Sequence, residues 1–76
     1  METMLLVGRW NGITRDQESV LRRRIHEMAP ARLFFVLTGA DQSGTRRYPL
    51  APDERFEIVK SFATSTNLLH EIFRIP

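Results

Sequence analysis

Two stretches of the chain combine the residue types that hold phosphates: Gly8 to Asp16, with Arg9, Gly12 and Thr14, and Gly39 to Pro52, with Ser43, Gly44, Thr45, Arg46 and Arg47. Glycine lets the backbone come close to an anion, main-chain amides donate to it, and a guanidinium grips its oxygens in pairs. The chemistry these stretches suggest is binding of a phosphate-bearing ligand. Neither contains the full dinucleotide fingerprint or a P-loop, and a glycine at a strand end also serves as a plain turn residue.

The remaining polar groups offer less. Arg46-Arg47 beside Tyr48 is a polyanion candidate within the second stretch, whereas Arg22-Arg23-Arg24 reads as a solvated helix face. His26 and His70 lie far apart, with no carboxylate at ligand spacing, so no metal site is expected. Ser19, Ser43 and Ser61 have no base near them in sequence, and no nucleophile is assigned.

These stretches need elements to position them. Met4 to Arg9 is a short apolar run ending near Gly8, which predicts a buried strand opening into a loop. Thr14-Arg15-Asp16-Gln17 fits a capping box, in which the threonine hydroxyl and the glutamine amide satisfy each other's backbone N–H groups. A helix is therefore expected from Arg15 to about Met28, with Val20, Leu21, Ile25 and Met28 at helical spacing and Pro30 forbidding continuation. Arg32 to Thr38 is continuously apolar from Leu33 to Leu37, as in a strand covered on both faces. Pro52 in a first turn, followed by Asp53 and Glu54, starts a second helix with Phe56, Val59, Phe62 and Ala63 as its stripe. Thr64 to Asn67 ends that helix, and Glu71 to Ile75 reads as a third strand.

Strand, helix, strand, helix, strand implies an α/β unit with a parallel three-stranded sheet. Right-handed crossovers order the strands third, second, first and put both helices on one face. The loops beyond the carboxyl ends of the strands are then Gly8 to Asp16 and Gly39 to Pro52, where ligands of open α/β sheets bind.

Composition sets the outer bounds. The chain has 76 residues, 42% hydrophobic and 26% charged, enough for one domain and too apolar for disorder. With no cysteine, it has neither disulfides nor a thiolate metal site. Eleven basic residues against nine acidic ones leave a net charge of +2, too small an excess to call for nucleic acid. No apolar run approaches the ~20 residues of a membrane span, and the N-terminus has no signal-peptide pattern. A cytoplasmic protein without a membrane partner is expected.

Leu6-Val7-Gly8-Arg9-Trp10, the capped helix, Gly39-Ala40, Pro49-Leu50 and Glu54-Arg55 occur in an order and spacing that resembles the nucleotidylyltransferase superfamily, above all nicotinamide mononucleotide adenylyltransferases and cytidylyltransferase-like proteins. In that family the first strand ends in G-R-F, a P-F-H-x-G-H motif opens the first helix, the second strand ends in G-S-A, and N-P-F-x-x-x-E-R opens the second helix. Gly8, Arg9 and Trp10 resemble the first motif, Ala40 the alanine, and Pro49 to Arg55 the last. Ile72 to Pro76 is similar to the family's third strand and the proline after it. The likeness spans essentially the whole chain, with short motifs, and implies the first half of a Rossmann-like nucleotidylyltransferase fold.

The resemblance also implies what is lost. Thr14 and Gln17 stand where the family has its two phosphate-binding histidines, and Asp16 replaces the glycine between them. Neutral side chains supply no imidazolium charge, and a carboxylate repels phosphates. The family's second nucleotide motif follows its third strand. The resemblance therefore implies a nucleotide or phosphate site at Gly8, Arg9, Thr14, Gln17, Gly39, Arg46 and Arg47, weak or lost, with no catalytic residue and no adenylyl transfer by this chain alone. ATP or another nucleotide, with Mg2+ if active, is the implied ligand. The rival expectation is a non-catalytic assembly module. With both helices on one face, either function leaves an apolar sheet face and the first-strand edge open, and a homo-oligomer or a partner chain is expected to cover them.

Overall fold

In the computed structural model, which describes residues 2–46 and 49–76, three strands and two helices alternate along the chain: β1 (Thr3–Gly8), α1 (Arg15–Met28), β2 (Arg32–Leu37), α2 (Pro52–Ser65) and β3 (Leu69–Arg74). The sheet is parallel throughout, in the order β1-β2-β3. Leu6 pairs with Phe35 and Phe35 with Ile72, which fixes the register across all three strands. Among the described residues no helix is long and apolar enough to cross a membrane.

Side-chain alternation then divides the sheet into two unlike faces. Leu33, Phe35 and Leu37 of β2 are fully buried and join Leu6 with Ile25 of α1 and Val59, Phe62 and Ala63 of α2 in a single core. Both helices therefore cover the same face. On the other face Leu5 is 63% exposed, Val7 60% and Phe73 45%. The continuous apolar run of β2 thus has one covered face, while Phe34 and Val36 on the other are only half-buried. Phe34 gains its shelter from an edge-on Phe73 ring 5.6 Å away and from Arg32 above it.

Helix α1 starts and stops where its residues dictate. Thr14 closes the expected capping box, and Ala29 takes a left-handed conformation (φ 45°) while donating its N–H to Ile25, with Pro30 next. Its expected stripe is only half used: Ile25 is buried and Leu21 half-buried, but Val20 is 56% and Met28 40% exposed. The reason is that β1 is the edge of the sheet, and among the described residues no strand lies beyond it to receive them. Helix α2 buries Val59, Phe62 and Ala63 as expected, with Phe56 half-buried beside them. Arg22 is exposed, as expected of a solvated face, and also ties the helices: it pairs with Glu18 within α1 at 2.8 Å and reaches α2 by donating to Ser65 Oγ and lying 5.1 Å over the Phe62 ring.

The strand ends differ slightly from expectation. β1 stops at Gly8 rather than Arg9, because Trp10 turns out of the sheet with a positive φ of 57°. β3 begins at Leu69, two residues early, because Arg32 and Leu33 at the start of β2 pair with Leu69 and His70. His70 uses its Nδ1 on the Leu68 carbonyl, and His26 is exposed on α1.

Candidate functional site

The carboxyl ends of the strands release two loops, and one side chain from α2 joins them. Arg55, in the first turns of α2, is completely buried. Its Nε donates to the Leu50 carbonyl at 3.2 Å, Nη1 to Arg9 at 3.2 Å and Thr38 at 2.7 Å, and Nη2 to Gly39 at 2.6 Å and Gln42 at 2.9 Å. A guanidinium cannot shed its charge, so burying it requires that its N–H groups be met by acceptors. Here carbonyl dipoles from the loop after β1 and the loop after β2 meet it. A planar fork of donors can reach several carbonyls at once in a way a single ammonium cannot. Arg55 thus fixes the relative position of both loops.

The loop after β1 is packed as well as clasped. Trp10 lies half-buried, donates Nε1–H to the Val36 carbonyl at 3.2 Å and sets its ring edge-on to Phe35 at 5.6 Å. Its left-handed backbone is a strained conformation for a bulky residue, held by this packing and hydrogen bond. The ring lies against Gly8, where an added Cβ would come 3.5 Å from Trp10 Cε2, an ordinary contact. Gly8 is therefore not demanded by the fold at this approach.

The α1 start absorbs two of the expected ligand groups. Thr14 Oγ1 accepts from the Gln17 amide at 3.1 Å, and Gln17 Oε1 accepts from the Thr14 amide at 3.0 Å. Each side chain thereby satisfies a helix N–H that would otherwise face water or an anion.

The expected phosphate residues do not line one cavity. A first hollow of about 490 Å3 lies between β1 and α1 and is mostly apolar, with Gly8 and Gln17 on its wall beside Trp10, Ile13, Val20 and Leu21. A second, of about 540 Å3, lies over the end of β2, where Gly39 and Arg46 come together with Thr38, Asp41, Gln42 and Thr45. Arg9 is exposed and lines neither, although its carbonyl is held by Arg55; Thr14 also lines neither. Arg47, with Tyr48, lies outside the described residues.

Charge distinguishes the hollows. Asp16 is the charged residue on the first wall, and a phosphate there would meet a carboxylate. The second has Arg46 and Asp41 together, with hydroxyls of Thr38 and Thr45 nearby. It is the better polar site. Among the described residues no cluster of three histidine or acidic side chains could hold a metal ion.

Arg55 carries the architecture of this end of the sheet, although in the sequence it stands out only as half of an E-R motif. Its signal was present: Arg55, Val59, Phe62 and Ala63 fall at i, i+4, i+7 and i+8, on the buried stripe of α2. A charged residue on such a stripe has to be met by polar groups inside. Comparison of the chain with protein-family models, curated proteins and solved structures gives no match.

Proposed function

We propose that this chain is a nucleotidylyltransferase-like α/β unit that performs no nucleotidyl transfer and keeps, at most, weak binding of a phosphate-bearing ligand over the end of β2. The observation that carries this reading is the capping box. The two side chains at the positions of the family's histidines are tied to each other's backbone amides. Neither bears a positive charge to oppose the charge that develops on a departing pyrophosphate. What supports residual binding is the second hollow, where Arg46 stands beside Asp41 over a loop pinned by Arg55, although the Thr38 hydroxyl there is already donated to the Gly8 carbonyl.

Titration of the 15N-labelled chain with Mg2+-ATP tests both halves. Shifts are expected at Gly39 to Arg46, weakening as salt rises because the attraction is to phosphate, with no release of pyrophosphate. Shifts confined to Arg22, Arg23 and Arg24 would instead mark a polyanion face on α1 and remove the nucleotide reading. The second reading, an assembly module that retains only the scaffold, is favoured by the exposure of Leu5, Val7, Leu69 and Phe73 on the bare sheet face. A chain silent to ATP leaves that reading standing.

A further inference from the structure

The β1 edge has the features of an unfinished seam. The carbonyls of Glu2 and Gly8 accept from Arg32 and Thr38 on the β2 side. By alternation, Thr3, Leu5 and Val7 turn their N–H and C=O groups outward, away from the sheet. Exposed edges are ordinarily protected by charges, proline or bulges. β1 reads Thr-Met-Leu-Leu-Val-Gly and has no charged residue or proline, whereas β3 at the opposite edge has His70, Glu71 and Arg74. Apolar surface flanks β1 on both sides of the sheet: exposed Leu5 and Val7 on the bare face, and the hollow with exposed Val20 on the helix face.

The outer side of α1 indicates what fits this seam. Asp16, Val20 and Arg24 are spaced i, i+4, i+8 and form one stripe along the helix. Asp16 and Val20 line the hollow beside β1. Asp16 and Arg24 are both exposed, and neither has an ion-pair or hydrogen-bond partner among the described residues. Acid, apolar, base is a sequence complementary to itself when reversed. An antiparallel copy of α1 sets Val20 against Val20 and each Asp16 against an Arg24.

We propose that a second copy of this chain adds antiparallel to the β1 edge about a twofold axis normal to the sheet, making one six-stranded sheet in the order β3-β2-β1-β1-β2-β3. An axis passing Leu6 pairs Leu5 with Val7 of the partner subunit and Val7 with Leu5 of the partner subunit, the outward residues that each need a donor and an acceptor. The same axis keeps both α1 helices on one side and antiparallel, so that the two apolar hollows close on each other. The interface is isologous and therefore ends at two copies rather than propagating. It does not depend on phosphate binding.

Sedimentation at micromolar concentration, with hydrogen exchange read at the Leu5 and Val7 amides, is the test. The chain is expected to be a dimer with both amides slow. Asp16→Arg or Arg24→Asp alone should weaken it about tenfold, since each places like charges across the axis twice. The double variant Asp16→Arg with Arg24→Asp should return to within about threefold of the original affinity. Both positions are exposed, so far-UV circular dichroism should be unchanged in all three. A folded monomer throughout would overturn the proposal, as would a dimer with fast Leu5 and Val7 amides that ignores the single reversals, which would lie on the bare face instead.

Discussion

Helices α1 and α2 both begin at the carboxyl end of the strands, but by different means. α1 is closed by its own neighbours in sequence: Thr14 and Gln17, three residues apart, satisfy each other's amides at an exposed turn. α2 has Ala51 at its N-cap, with no side-chain hydrogen bond there, and begins on the fixed φ of Pro52 with Asp53 and Glu54 in its first turn. Its polar contribution is directed to other parts of the chain, through Arg55 and carbonyls as distant as Arg9. One start is a local device that could form in a short peptide. The other exists only once both loops have arrived, and those loops in turn depend on it.

That difference predicts unequal costs. Arg55→Met should have the largest effect, about 3–5 kcal/mol, because it removes a buried charged donor and strands the carbonyls around it. A chain of this length has a total stability of only about 4–11 kcal/mol, so the urea midpoint should collapse or the chain should fail to fold. Arg55→Lys should recover less than half of the loss, because an ammonium cannot span both loops. A change within 1 kcal/mol for Arg55→Met, on a scale where surface substitutions stay within about 0.5, would show that the clasp is not what holds the edge.

Thr14→Ala comes next, with an expected loss of about 0.5–2 kcal/mol and an unchanged fold. Adding Gln17→Ala to it should cost much less than Gln17→Ala alone, because the two side chains form one reciprocal device. Thermal unfolding of the four chains of this cycle measures the coupling, and strict additivity would mean that the two bonds act separately.

Asp53→Asn should cost between about 0 and 1 kcal/mol, since its pairing with Arg74 at 2.9 Å is exposed and its place in the first turn of α2 adds a small dipole contribution. The loss should shrink with added salt. The smallest effect is expected for Gly8→Ala, within about 0.5 kcal/mol, because the new methyl group meets Trp10 at ordinary contact distance and the backbone there is not left-handed. If Gly8→Ala leaves stability intact and also leaves the ATP shifts at Gly39 to Arg46 unchanged, the first hollow takes no part in ligand binding.

The candidate site was legible in the sequence to the extent that its parts are local. The capping box needs only Thr14 and Gln17 at their spacing, and the positions of both loops follow from strand ends at Gly8 and Leu37, two residues before Gly39. What spacing could not foresee is that Gly8 and Gln17 would line one hollow and Gly39 and Arg46 another. Two loops leaving neighbouring strands share an edge without having to share a cavity, and the path between them is set by Trp10 folding back over Gly8 and by Arg55 drawing the carbonyls together.

By itself the sequence determined the alternation of strands and helices, their boundaries to within two residues, and the parallel order of the sheet. Each of these rests on short-range facts: apolar periodicity, proline and capping residues, and crossovers too long for hairpins. Only the tertiary structure decided which apolar residues would be covered. Val20 and Met28 have the right spacing for a core stripe and remain exposed because the sheet ends at β1, while Arg55 has the wrong chemistry for a core and is fully buried because five carbonyls converge on it. Burial depends on what lies across from a side chain, and that is fixed by contacts distant in sequence, which no local pattern encodes.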